Sequence, residues 1–201
     1  MIDVDWDGDL CRVRLNRPDK ANALTKEMLV ALRDVAKEAA RVKVFVLTGT
    51  GKVFSAGADL EAAKAGLATD PIWEDLSGTI AALPCLTIAA LNGSLAGGAF
   101  GMALACDLRI AVPEAKFFYP VMKLGFLPQP SDPGRLAALV GPSRAKLILM
   151  AGAKLTADEA RDIGLVDALV DRENLATRVE ALSADALSAT PAHIAGIKAL
   201  V

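Results

Sequence analysis

The sequence predicts an α/β fold, and three observations carry that expectation. Apolar strand-like runs alternate with helical segments along the chain. Hydrophobic residues make up 53% of it while aromatics make up only 4%, so the core must be filled with Ala, Leu, Val and Ile. Such side chains pack densely where helices lie on a sheet, which disfavours a β-sandwich. The length of 201 residues suits one domain with a substantial core and is short for two, so a single domain over residues 1–201 is expected.

Taken in order, Leu10 to Leu15 alternates apolar and polar residues as a half-exposed strand does, and Arg17-Pro18-Asp19 turns the chain. Thr25 is placed to cap a helix in which Met28, Leu29, Leu32, Val35, Ala36 and Ala39 recur at helical spacing. Lys43 to Thr48 reads as a buried strand closed by Gly49 and Gly51. A helix around Ile72 to Leu83, a strand Leu86 to Leu91, a helix Gly97 to Ala105 and a strand Leu108 to Val112 follow. The second half reads as helices over Pro142 to Met150 and Thr156 to Ile163, a strand Val166 to Val170, and a helix from Asn174 to Ala186. Thr156 and Glu159 have the spacing of a capping box, and Ile197 to Val201 reads as the middle of a further helix. Repeated crossovers of this kind bring strands together in parallel, with the loops that bind ligands on one side.

Composition excludes several function classes. A net charge of -2 with interspersed signs leaves no basic stripe for a nucleic-acid backbone, so no nucleic-acid partner is expected. Cys11, Cys85 and Cys106 fit neither a disulfide framework nor a metal site, and a reduced, cytoplasmic compartment with no bound metal is the simplest reading. Met1-Ile2-Asp3-Val4-Asp5 carries acids where a signal peptide carries bases. No charge falls between Asp75 and Asp107, a run long enough to span a bilayer, but Pro84, Asn92, Gly93 and Gly97-Gly98 divide it into a strand and a small-residue helix. A buried strand and helix of an α/β core are therefore expected there, and no membrane span.

Two glycine-containing loops each link a buried strand to a helix. The first is Phe54-Ser55-Ala56-Gly57-Ala58-Asp59-Leu60, and the second is Asn92-Gly93-Ser94-Leu95-Ala96-Gly97-Gly98-Ala99. Unpaired N–H groups at a helix start favour negative charge, and glycine lets a ligand approach the backbone. Converging loops would form an oxyanion hole; isolated ones would serve only as tight turns. Neither matches a phosphate loop or a dinucleotide fingerprint. The residues by themselves reach a candidate anion site and no substrate.

Arg17-Pro18 with Asn22-Ala23-Leu24, then residues 54–60, Ala90-Leu91-Asn92-Gly93 with Gly97-Gly98, and Ala105-Cys106-Asp107-Leu108-Arg109 resemble the signature of the enoyl-CoA hydratase/isomerase (crotonase) family. Leu124-Gly125 with Pro128, Arg135-Leu136, Val140-Gly141 and Leu155-Thr156-Ala157 through Gly164-Leu165-Val166 continue the likeness over nearly the whole chain. The resemblance implies a crotonase-like spiral of ββα units with parallel sheets, an acyl-CoA thioester as ligand, and coenzyme A as part of the substrate with no covalently bound cofactor. It makes the N–H groups of Ala58 and Gly97 the oxyanion donors and puts Lys20, Ala21, Ala56, Asp59 and Leu60 against the CoA moiety; Lys20 reads equally as a solvated lysine. It also implies a homo-oligomer, trimer or hexamer, in which this chain's C-terminal helical region is shortened.

The positions where hydratases of the family carry two glutamates correspond here to Phe100 and Val121, neither of which transfers a proton. Gln129 stands where several relatives place an acid, and Pro130-Ser131-Asp132-Pro133 replaces a glycine-rich stretch. Asp132 reads as a general base if burial raises its pKa, or as a turn or N-cap aspartate before Pro133-Gly134. Tyr119 reads as a hydrogen-bond donor or a packed aromatic, and Asp107 as an anchor of the core. Enolate chemistry other than hydration (isomerisation, decarboxylation or C–C cleavage) is the expected function, with a non-catalytic acyl-CoA binder as the alternative and a hydratase that uses an unrecognised acid as a third reading.

Overall fold

Three times in succession a long strand makes a tight turn into a short strand of a second sheet, and helix then carries the chain back. The computed structural model describes residues 1–201. Its elements are β1 (Ile2–Asp7), β2 (Leu10–Leu15), α1 (Lys26–Glu38), β3 (Val44–Gly49), β4 (Val53–Ser55), α2 (Leu60–Lys64), α3 (Ile72–Ala81), β5 (Leu86–Leu91), β6 (Ser94–Ala96) and α4 (Phe100–Leu104). These are followed by β7 (Leu108–Ala111), β8 (Lys116–Phe118), α5 (Val121–Leu124), α6 (Asp132–Val140), α7 (Pro142–Leu149), β9 (Leu155–Thr156), α8 (Ala157–Asp162), β10 (Ala168–Leu169), α9 (Leu175–Ser188) and α10 (Pro191–Lys198). The larger sheet has the order β1-β2-β3-β5-β7-β10 and the smaller β4-β6-β8-β9. Strands β3, β5 and β7 thus feed β4, β6 and β8 in turn, which is the ββα spiral. Only β1 and β9 pair antiparallel.

The parallel strands are buried runs, as they must be when helices cover them. Val44 to Leu47 and Thr87 to Leu91 are buried throughout. Phe45, Phe54, Phe100 and Phe117 fill the centre, and the core is otherwise aliphatic. On α1, Met28, Leu29, Leu32 and Ala36 form the buried face, and Thr25 caps the helix by accepting from Met28 N. The capping box of α8 is formed by Thr156 and Glu159 in both directions.

Several features depart from the sequence expectation. Strand β1 was not anticipated, although Ile2-Asp3-Val4-Asp5-Trp6-Asp7 alternates with period two; its acids face Arg12 and Arg14 across the antiparallel pair. The expected helix Gly97 to Ala105 starts as a 3-10 turn over Gly97–Ala99, because Gly97 sits in the left-handed region at φ 56°, and only Phe100–Leu104 is α-helical. The strand Val166 to Val170 contracts to Ala168–Leu169 at the sheet edge, where β7 alone is its partner. The expected terminal helix is Pro191–Lys198, so Leu200 and Val201 lie beyond it.

Two buried asparagines hold the turn between β3 and β4. Asn92 Oδ1 accepts from Gly49 N (2.9 Å), and Asn92 Nδ2 donates to Gly51 O (3.0 Å). Asn22 Nδ2 donates to Thr50 O (3.0 Å) and Val53 O (2.8 Å), while its Oδ1 accepts from Arg17 N. Gly49 is required there, since a Cβ would lie 2.8 Å from Asn92 Oδ1 and 2.9 Å from Phe54 O. Asp107 anchors the neighbouring strands by accepting from Thr87 N, Thr87 Oγ1 and Lys198 Nζ. The buried Arg109 guanidinium is spent on the carbonyls of Leu165, Cys106 and Asp107.

Truncating Asn92 leaves Gly49 N–H without its acceptor inside the structure. Asn92→Ala is expected to lower stability by about 2–4 kcal/mol in urea-induced unfolding, from unsatisfied buried groups rather than lost apolar area.

Candidate functional site

The loop after β4 and the loop after β6 meet backbone to backbone. Gly57 is buried at φ 89°, and a Cβ on it would lie 2.9 Å from Ala96 O and 3.3 Å from Gly97 Cα. Gly97 returns the contact, with Gly57 Cα 3.7 Å from where its own Cβ would sit. Only two glycines in left-handed conformation bring the loops this close. The strap over residues 17–24 fixes the first loop from behind: Ala56 N donates to Ala21 O (3.0 Å), Leu24 N to Gly57 O (2.8 Å) and Asp59 N to Leu24 O (2.8 Å). Ser55 Oγ donates to Asn22 O and accepts from Gly57 N. To form these bonds Ala21 and Asn22 both take positive φ, near 51° and 52°.

No acceptor within the chain takes the Ala58 N–H, which lies between two loop bonds that its neighbours make. Ala58 and Gly97 both border a cleft of about 380 Å³ whose walls are mainly apolar, with Trp73, Phe118, Val121, Leu124, Phe126 and Leu127 among them. The Trp73 ring packs under the second loop, 3.3 Å from the position of a Cβ on Gly98, and its indole N–H is used by Leu67 O. The cleft wall contains no carboxylate and no histidine. Its only titratable side chains are Lys64, paired with Glu61 on the surface, and Tyr119.

Of the residues singled out in the sequence, the structure brings Ala56, Ala58, Leu60 and Gly97 together on this cleft. Lys20, Ala21 and Asp59 stand off its wall. Lys20 is exposed, and Ala21 serves the strap through its carbonyl. The Asp59 carboxylate is already engaged: Oδ2 accepts from Arg17 Nη1 (2.8 Å), and Oδ1 caps α2 by accepting from Glu61 N and Ala62 N. The Arg17 guanidinium, followed by those helix-start N–H groups, holds the Asp59 carboxyl below the usual carboxylate range. Arg17 also donates to Ala23 O, so one ion pair joins the strap to the helix that follows the first loop.

Asp132 also lies off the cleft wall and is fully buried at the start of α6. It makes neither the N-cap bond nor the turn bond that its sequence context suggests. Its Oδ2 accepts from Tyr119 Oη (2.8 Å), and its Oδ1 has no partner. Gly101 on α4 makes room for it, since a Cβ there would lie 3.0 Å from Asp132 Oδ1. Tyr119 stacks on Phe100 with ring centroids 5.3 Å apart and carries the contact from Asp132 forward to the cleft. The sequence marked these residues singly; their pairing, and the support of Trp73 under Gly98, rest on contacts between distant segments. The cysteines are buried, and desolvation raises their thiols to about 11 for Cys85 and about 12 for Cys11 and Cys106, so none serves as a nucleophile at neutral pH.

Burial pushes the Asp132 carboxyl from 3.8 up to about 6, against the Tyr119 hydrogen bond and the Arg135 charge that pull it down. Between those values the folded chain holds a proton that the unfolded chain has released, so the contribution of this group to stability is fully present below about pH 4 and is lost as pH rises through 6, by on the order of 2–3 kcal/mol. Asp132→Asn removes that dependence. In paired thermal unfolding curves the stability difference is expected to move in the variant's favour by that amount as pH is raised across this interval. Gly57→Ala, strained at its φ and in collision with Ala96 O, is expected to cost about 2–4 kcal/mol and to part the two loops.

Residues 6–201 match the profile of the enoyl-CoA hydratase/isomerase family. The Bacillus subtilis protein YngF, named for enoyl-CoA hydratase/isomerase, is 40% identical over 182 residues, covering 86% of this chain and 70% of its own length. The crotonyl-CoA hydratase of Syntrophomonas wolfei is 36% identical over 200 residues, covering 93% of this chain and 75% of its own. The crystal structure of an enoyl-CoA hydratase from Bacillus anthracis superposes with a TM-score of 0.90 at 31% identity, over 98% of this chain and 80% of that one.

Proposed function

Because the chain belongs to the enoyl-CoA hydratase/isomerase family, we propose that it binds an acyl-CoA thioester in the Trp73 cleft and stabilises the thioester's enolate with the backbone N–H groups of Ala58 and Gly97. The observation that carries this reading is the Gly57 to Gly97 contact, which sets both donors at one apolar cleft. An N–H group held in place by rigid backbone needs no reorganisation as charge builds on the thioester oxygen, and apolar walls strengthen the interaction. Ala56 and Leu60 line the approach to the cleft, and Lys20, exposed at the turn after Pro18, offers a charge to the CoA phosphates. The coenzyme arrives as part of the substrate, and no other cofactor enters the reading.

Water addition is the member of this chemistry that the cleft suits least. It requires a group to activate water and another to deliver a proton, and the cleft wall carries no carboxylate. Phe100 is fully buried behind Tyr119, and Val121 presents only a methyl surface. Isomerisation, decarboxylation or C–C cleavage through the enolate fits better, since each draws chiefly on the two N–H donors. The same lack of carboxylates favours the second reading, a protein that binds acyl-CoA without turnover.

None of the helices is long and apolar enough to cross a membrane. A cytoplasmic setting goes with the reduced cysteines. A trimer or hexamer goes with the family and with exposed apolar side chains off the cleft, such as Met122 and Met150.

Ala58→Pro removes one N–H that no acceptor in the chain uses. α-Proton exchange of butyryl-CoA in D2O, followed by mass, is expected to fall by about 100- to 1000-fold in this variant. Wild-type binding of butyryl-CoA with neither exchange nor turnover would replace the enzyme reading by the binder. Rapid hydration of crotonyl-CoA would overturn the exclusion of hydratase chemistry.

A further inference from the structure

A carboxylate buried with one oxygen unpaired is costly to keep in a core, and an apolar side chain of similar size would be the more stable choice. Asp132 is such a group. Its Oδ1 has no partner, its Oδ2 takes the Tyr119 hydroxyl at 2.8 Å, and α4 is reduced to glycine at Gly101 to admit it. The charged groups facing it are Glu74 from α3 and Arg135 from its own helix, and Arg135 Nη1 donates to Ser77 Oγ. Glu74 is taken up by Ser131, from both its N–H and its hydroxyl. Asp132 is therefore left to Tyr119 alone among side-chain hydrogen-bonding partners. Of the residues in this cluster with a titratable side chain, Tyr119 alone lines the cleft, and its hydroxyl also accepts from Gln129 N.

We infer that Tyr119 and Asp132 form a two-residue proton relay for the thioester α-carbon, with Tyr119 as the catalytic residue that meets the substrate and Asp132 as its proton-accepting partner behind the wall. The inference rests on the acyl-CoA reading above. In the forward step the Cα–H bond breaks and its proton forms a new bond to Tyr119 Oη, while the original Tyr119 proton passes to Asp132 Oδ2. The electron pair of the broken bond becomes the enolate π bond, and the thioester oxygen takes the negative charge facing Ala58 and Gly97. The reverse step delivers the Asp132 proton through Tyr119 to the same or a neighbouring carbon, which exchanges the α-proton or moves a double bond. No oxidant or co-reactant enters. Burial and the nearby Asp132 carboxylate push the Tyr119 phenol far above its ordinary range, so it is neutral throughout and passes a proton only as it receives one. The raised Asp132 carboxyl is mostly ionised at neutral pH yet basic enough to hold a proton transiently.

The test measures deuterium incorporation into butyryl-CoA in D2O, from about pH 5 to 8, beside calorimetric binding of butyryl-CoA. Wild type, Tyr119→Phe, Asp132→Asn and the double variant are compared, with near-UV circular dichroism confirming the fold. Tyr119→Phe keeps the ring stacked on Phe100, and Asp132→Asn keeps an acceptor for the hydroxyl. Binding is expected to persist in all four proteins. Each single variant is expected to lose exchange by about 100-fold or more, and the double variant no more than either alone, because the pair acts as one unit. Wild-type exchange is expected to rise with pH to a plateau above about 6, and residual exchange in Asp132→Asn to lack that rise. Wild-type exchange that survives Tyr119→Phe, or a pH rise that survives Asp132→Asn, overturns the relay and leaves the enolate reading standing. Binding without exchange in the wild type overturns both.

Discussion

The contact between Gly57 and the Ala96-Gly97 backbone is the constraint on which the site depends. It joins the crossover from β3 through β4 to that from β5 through β6, so the position of each loop is set by the other. Any side chain at Gly57 would force the loops apart. The supporting bonds all converge on it: the Ala21-Asn22 strap behind the first loop, the Asn22 and Asn92 amides in the turn before it, and Trp73 beneath the second. The rigidity of the site comes from buried polar groups that are nearly all satisfied, which specify one arrangement where an aliphatic core would tolerate several.

In the proposed function and relay, the two jobs of the cleft fall to different layers. Charge on the substrate oxygen would be met at the wall by the backbone groups that the loop contact holds in place. Protons would be handled from behind the wall, where Asp132 is fully buried against the Tyr119 hydroxyl. The separation keeps the wall apolar and concentrates the energetic cost in one residue. Asp132 weakens the fold at neutral pH, which is the usual relation between a reactive buried group and the stability of its surroundings.

Much of the architecture is legible in the sequence because β3, β5 and β7 are continuous apolar runs and the long helices carry a clear 3.6-residue period. The short strands β4, β6, β8 and β9 are not legible: two or three residues hold no period, and they exist only because the turns after β3, β5 and β7 aim the chain at a second sheet. Strand β1 carried a signal in its alternating acids, but that pattern also reads as a solvated terminus. At the site, the glycines of both loops stand out locally, and the resemblance to a family names them together. Tyr119 with Asp132, and Arg17 with Asp59, are separated by 13 and 42 residues and pair only through the tertiary fold. Asp132 shows the limit plainly, since Ser131-Asp132-Pro133 has the local form of a helix start while burial gives the carboxylate a different partner.

The uncharged stretch from Leu76 to Cys106 threads the middle of both sheets, supplying β5, β6 and α4. In the folded chain its strands β5 and β6 and helix α4 are largely covered by neighbouring elements, with Ala82 and Pro84 exposed in the turn before β5. Once released, it is a long segment without a charge to oppose self-association, and its Leu-Thr-Ile-Ala-Ala-Leu strand is well suited to pair with a copy of itself. The same burial that frees the site from competing charges therefore makes the unfolded chain prone to aggregate. Where that association outruns refolding, working lifetime is set by how fast the protein opens rather than by the free-energy difference between its end states.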